Sequence, residues 1–191
     1  GWRLNSMGQW QFEERLLAED RVEGDNFGTS ISVDSLGQLL VGSPGRDASG
    51  VDSGIAILYS GGPDGWFESA RFGNNVAQPG DRFGTSVSLL DDYAFIGSPY
   101  SSFSGPFAGQ VVSYRRSNSV WILQPFLTPD SGSSGTGFGA TLAIDGNLLA
   151  VGSPMDMGNE AMPTGRVRIY RYLQEWVHES DLTGYDGSCL G

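Results

Sequence analysis

The sequence predicts an all-β chain, a β-propeller segment of four-stranded antiparallel blades, about three and a half of them. Three observations predict it. Tryptophans stand at Trp10, Trp66, Trp121 and Trp176, at spacings of 56, 55 and 55 residues, and a Phe-Gly pair follows 17 residues after each of the first three, at Phe27-Gly28, Phe83-Gly84 and Phe138-Gly139. A Gly-Ser-Pro triplet then recurs at Gly42, Gly97 and Gly152, followed by a glycine that opens an apolar run ending in tyrosine: Gly54 to Tyr59, Gly109 to Tyr114, Gly165 to Tyr170. Glycine makes up 29 of 191 residues, against roughly 13 expected from average usage of about 7%, which implies many tight turns and little helix. Four short strands at a fixed period of roughly 50 residues are the signature of a propeller blade.

Each unit reads as four strands. The first, Thr29-Ser30-Ile31-Ser32-Val33 and its equivalents, alternates small polar with apolar residues, the period of a strand with one buried face. The second, Leu39-Leu40-Val41 or Leu148-Leu149-Ala150-Val151, is continuously apolar and reads as buried on both faces. The third, 55–59 and its equivalents, is rich in the β-branched and aromatic side chains that suit a pleated surface. The fourth begins at the tryptophan and runs to an apolar residue six further on, at Leu16, Phe72, Leu127 and Leu182. Turns such as Asp34-Ser35-Leu36-Gly37 and Asp145-Gly146-Asn147 hold residues that tolerate the positive φ of tight hairpins. The glycine of Gly-Ser-Pro is expected where strands crowd toward the axis, its proline where the ladder ends. The phenylalanine of Phe-Gly is expected between neighbouring blades, with its glycine allowing close approach.

These markers resemble the FG-GAP repeat of integrin-α-type β-propellers, in a short-loop variety, from about Trp10 to Leu182. The resemblance implies an interaction propeller at a cell surface. Repeats of that kind often carry an Asp-x-Asp-x-Asp-Gly calcium loop between the first and second strands, where a hard cation needs six to eight oxygen ligands. Here the turns read Asp34-Ser35-Leu36-Gly37, Asp91-Asp92-Tyr93 and Asp145-Gly146-Asn147. One or two carboxylates per turn do not make that cage, so no cofactor and no metal are expected, with Asp47, Asp52, Asp156, Asn159 and Glu160 in the longer loops as the alternative calcium ligands. The second blade has Ser101, Ser102 and Ser104 in their place.

Charge narrows the function further. There are 22 acids against 11 bases, all of them arginine, for a formal charge of −11. That balance excludes general binding to nucleic-acid backbones, which depends on cationic side chains displacing counterions. The absence of lysine excludes Schiff-base chemistry and the usual P-loop. No apolar run approaches the roughly 20 residues that span a bilayer. Cys189 is the single cysteine and makes no internal disulfide. His178, on an outer strand, reads as a surface residue. The adjacent acids Glu13-Glu14 and Asp91-Asp92 point apart on a strand or splay from a turn. The glycine-rich stretch 131–137 reads as an interblade loop rather than a phosphate cradle. No catalytic set converges, so a non-enzyme is expected.

The whole chain, 1–191, reads as a single partial propeller. A half blade at 1–16 precedes blades at about 27–72, 83–127 and 138–182, with a tail at 183–191. The blades of a ring that are absent here are expected from the same polypeptide or from a second chain, because an open arc exposes strand edges and interblade faces. Residues 1–65 carry ten acids and four arginines, residues 66–120 four of each, and residues 121–191 eight and three. The neutral middle blade, with Tyr100, Phe103 and Phe107 in its long loop, is therefore the candidate contact surface, since aromatics anchor interfaces. The expected function is an interaction or scaffold module that binds a protein partner or glycan in an extracellular, cell-surface or lumenal assembly. The alternatives are a calcium-stabilised adhesion propeller and part of a propeller hydrolase or lyase whose catalytic residues lie in other blades.

Overall fold

The computed structural model describes residues 2–12, 15–62, 65–73, 75–130, 133–158 and 162–184. Among them every regular element is a strand, and no helix is long and apolar enough to cross a membrane. β1 (Trp2–Leu4) and β2 (Trp10–Phe12) pair as a two-stranded sheet. Twelve further strands make three four-stranded antiparallel sheets. The first blade is β3 (Ser30–Val33), β4 (Gln38–Ser43), β5 (Ile55–Gly62) and β6 (Gly65–Phe72). The second is β7 (Ser86–Leu90), β8 (Tyr93–Ser98), β9 (Gln110–Ser117) and β10 (Val120–Leu123). The third is β11 (Thr141–Asp145), β12 (Leu148–Ser153), β13 (Arg166–Tyr172) and β14 (Trp176–Thr183). Spatial order follows chain order within each blade. The first strands β3, β7 and β11 contact one another in turn, as inner strands around a propeller axis do.

The apolar core lies between blades rather than inside them. Leu40, Ala56, Leu58 and Phe72 of the first blade interdigitate with Phe83, Val87, Leu89, Ala94, Ile96 and Val112 of the second. Phe95 and Val111 of the second meet Phe138, Leu149, Val151 and Tyr170 of the third. The repeated aromatics serve these seams: Phe72 stands 4.6 Å from the Tyr114 ring and 5.6 Å from Trp121, and Phe95 stands 5.2 Å from Trp176. Burial pushes the hydroxyls of Tyr114 and Tyr170 up to about 12, in Tyr170 against the opposing charge of Arg168.

The marker glycines and serines form one repeated joint. Ser30 Oγ donates to the Gly84 carbonyl at 2.9 Å, and Ser86 Oγ donates to the Gly139 carbonyl at 2.7 Å. Single parallel bridges, Gly54 to Phe83 and Gly109 to Phe138, tie the third strand of one blade to the start of the next. A Cβ on Gly42 or Gly97 would fall on the Gly84 or Gly139 carbonyl oxygen. The crowding that demands glycine there comes from the following blade, and not, as expected above, from convergence at the axis.

Two further expectations are corrected. The first strand does not have one buried face throughout. In β7, flanked by blades on both sides, Ser86, Val87, Ser88 and Leu89 are all buried. In β3 the serines, which face the second blade, are half-buried, while Ile31 and Val33 are 65% and 62% exposed. The apolar side of β7 therefore packs against the first blade and that of β11 against the second, while the serine sides of β3 and β7 face the blade that follows. The fourth strand of the middle blade also ends early, at Leu123. Pro125, which has no N–H to continue a ladder, stands where the other blades have Ala70 and Ser180, and Leu127 returns only as an isolated bridge to Val111.

Candidate functional site

The loop joining β8 to β9 is pinned from within and from the next connection. Ser101 N–H closes a turn on the Ser98 carbonyl, and Gly109 N–H returns to the Ser101 carbonyl at 2.9 Å. Ser102 Oγ accepts the Phe107 N–H at 3.1 Å, holding Phe107 at a φ of 50°, in the left-handed region that a bulky residue occupies only when its surroundings impose it. Gly135 N–H and Ser134 Oγ both donate to the Pro106 carbonyl. Ser101 Oγ likewise accepts the Phe103 N–H at 3.3 Å, so two of the serines that take the place of acids in this loop shape it.

The shaped loop holds Tyr100, Phe103 and Phe107 at 48%, 66% and 61% exposure. They line one side of a cleft of about 650 Å³, whose opposite side is the β6–β7 connection with Val76, Gln78 and Asp81. That volume lies within the roughly 300–1,000 Å³ typical of ligand sites. Phe126, released from the sheet by Pro125, turns into the same cleft, its ring 5.1 Å from Phe103 at an interplanar angle of 82°. Gln110 is also a lining residue; it is buried, and its Oε1 has no donor among the described residues. The structure thus brings the three predicted aromatics to one cleft. Phe126, Asp81 and Gln110 escaped the sequence reading, although Pro125 inside an expected strand was a signal for the first.

Asp81 stands two residues before its Phe-Gly pair, where the other blades have Asp25 and Thr136. All three are buried, but their partners differ. Asp25 accepts the Val22 N–H and pairs with Arg46, each at 2.8 Å. Asp81 accepts the Gln78 N–H at 3.0 Å and has no arginine partner among the described residues. Burial raises its carboxyl above the ordinary carboxylate range, against the lowering by the Gln78 amide and the Ser101 hydroxyl. A carboxyl raised on folding contributes stability that is fully present below its unfolded pKa and is lost as pH rises through the folded one. Asp81→Asn is therefore expected to raise the melting midpoint at pH 7, and its advantage over the parent should disappear in acid. Asp25→Asn should lower the midpoint by about 3–6 °C, as a hydrogen bond to a charged group is lost. Melting curves of both variants across pH 3–7 check the opposite signs.

The alternative calcium ligands do not converge among the described residues, and no group of three or more His, Cys, Asp or Glu comes together there. Asp47 Oδ1 accepts the Asp52 N–H at 2.8 Å, and Asp52 turns toward Arg82 at 3.5 Å. Asp156 accepts the Gly158 N–H at 2.8 Å and faces Arg166 at 3.5 Å. Asn159 and Glu160 lie outside the described residues, as do Glu13, Glu14 and Cys189. His178 Nε2 lies 2.8 Å from Asp181 Oδ1 on the exposed outer strand β14.

Blades joined edge-on through inner strands, with loops gathered into a cleft at one end, define a β-propeller repeat protein. The chain belongs to the FG-GAP repeat family, whose sequence model matches residues 10–59 and 66–112, just over half of its length. Among solved structures it is similar in fold to Sqt1 of Saccharomyces cerevisiae, also a β-propeller, with a TM-score of 0.51 at 12% identity. That match covers 87% of this chain and 38% of the other, so the chain spans well under half of that structure's length. No curated protein matches. A propeller repeat fold of this type suggests a protein-interaction module.

Proposed function

We propose that the chain is a non-enzymatic interaction module that binds a protein partner through the cleft of its second blade, within a larger extracellular, cell-surface or lumenal assembly. One observation carries the proposal. The recurrent residues are consumed by the joints between blades, whereas Tyr100, Phe103 and Phe107 stand exposed on a loop that hydrogen bonds hold in shape. Preorganised aromatic side chains lose little entropy on binding and supply most of the energy at interface centres. The extracellular or lumenal setting is supported by family analogy alone. A neighbouring blade, from the same polypeptide or a second chain, would cover Ile31 and Val33, as the first blade covers Val87 and Leu89.

A photo-crosslinking residue at position 103 or 107, introduced in the cells that make the protein, should capture one discrete protein. The same residue at position 179 on β14 should not, and Tyr100→Ala with Phe107→Ala should abolish capture at 103 without lowering the melting midpoint. Equal capture from both faces, or none from the cleft, would remove the cleft from consideration.

A further inference from the structure

We infer that the cleft receives a cationic side chain, an arginine or lysine of the protein partner, seated among Phe103, Phe107 and Phe126 beside Asp81. The inference rests on the interaction role proposed above and adds the chemistry that is recognised.

Four observations carry it. First, the lining residues include one acid, Asp81, and no arginine or histidine, in a chain of formal charge −11 whose acids concentrate on either side of the neutral middle blade. Such a field attracts a cation and repels an anion. Second, Phe103 and Phe126 stand at 82° to one another. Perpendicular rings wall a cage for a compact cation and its stem, whereas a sugar ring stacks on a flat platform; cation–π contact is strongest when desolvated. Third, the arginine at the rim is directed away from the inner rings: Arg82 Cζ lies 5.5 Å from the centroid of Tyr100 and its guanidinium pairs with Asp52 at 3.5 Å, while Phe103 and Phe107 stay exposed. Fourth, the acceptor Gln110 Oε1 lacks a donor and the Asp81 carboxyl lacks a counter-charge among the described residues. A guanidinium offers five N–H donors and a permanent charge to such groups.

Backbone-amide NMR of the 191-residue chain, titrated with acetyl-arginine amide and with acetyl-citrulline amide, tests the inference. The two probes share shape and differ in charge. Arginine should move the Asp81, Phe103 and Phe107 resonances saturably and bind about tenfold tighter than citrulline. Phe103→Ala with Phe107→Ala should abolish the shifts. Asp81→Asn, which is not expected to lower the melting midpoint, should remove most of the preference for arginine. Equal affinity for both probes, no saturable shift with arginine, or shifts caused by glucose but not by arginine would overturn the inference. If crosslinking from position 103 succeeds while arginine fails here, the interaction role stands and the cationic specificity falls.

Discussion

Gly97→Ala should destabilise the chain by about 3–4 kcal/mol, one of the largest effects of any single methyl group in the molecule, because overpacking against backbone cannot be relieved by a rotamer change. Gly97 sits at a negative φ that alanine adopts freely, so no conformational penalty contributes. The added Cβ would instead lie under 3.0 Å from the Gly139 carbonyl oxygen and from Ser86 Oγ. Those two atoms form the 2.7 Å hydrogen bond between the second and third blades. Relief requires the blades to separate, which opens the seam around Phe138. Gly42→Ala should act in the same way at the first seam. Gly146→Ala supplies the contrast: Gly146 has a φ of 54° and open space around its Cβ direction, so only the left-handed backbone penalty of about 1–2 kcal/mol applies. Urea midpoints of the three variants, with loss of amide-exchange protection in β7 and β11 for Gly97→Ala, check the expectation. Equal midpoints for Gly97→Ala and Gly146→Ala would show that crowding between blades is not what requires glycine.

Much of the architecture was legible because it repeats. A period of about 55 residues fixes which residues are equivalent, and equivalent residues without a Cβ announce a close approach. What a period cannot state is the identity of the approaching atoms: Gly42 meets the next blade's carbonyl rather than the axis. Nor can alternation in a single strand reveal that both of its faces are covered, as in β7, since small serines fit a hydrogen-bonded seam as well as they fit solvent. The cleft was legible only in part. Tyr100, Phe103 and Phe107 stood out as aromatics in a loop, but Phe126 depends on one proline breaking one strand. Asp81 and Asp25 occupy the same repeat position, and they differ because Arg46 pairs with Asp25 while no arginine pairs with Asp81 among the described residues, a difference that only the fold makes.

The account depends on Phe-Gly phenylalanines serving the seam with the preceding blade, and the cost of removing each ring measures this directly. Phe83 and Phe138 have 0% exposure, in cores shared by two blades. Their replacement by alanine should cost about 3–5 kcal/mol, the lost transfer energy plus the cavity left behind. Phe27 is only half-buried, beside Tyr59 and the segment around Leu16 and Ala18. Its replacement in this 191-residue chain should cost less than half as much. Urea unfolding of the three variants at a common m value is the decisive measurement. Large losses for Phe83→Ala and Phe138→Ala with a small one for Phe27→Ala are the predicted result, and three equal losses would mean that each ring packs within its own blade, contradicting the account.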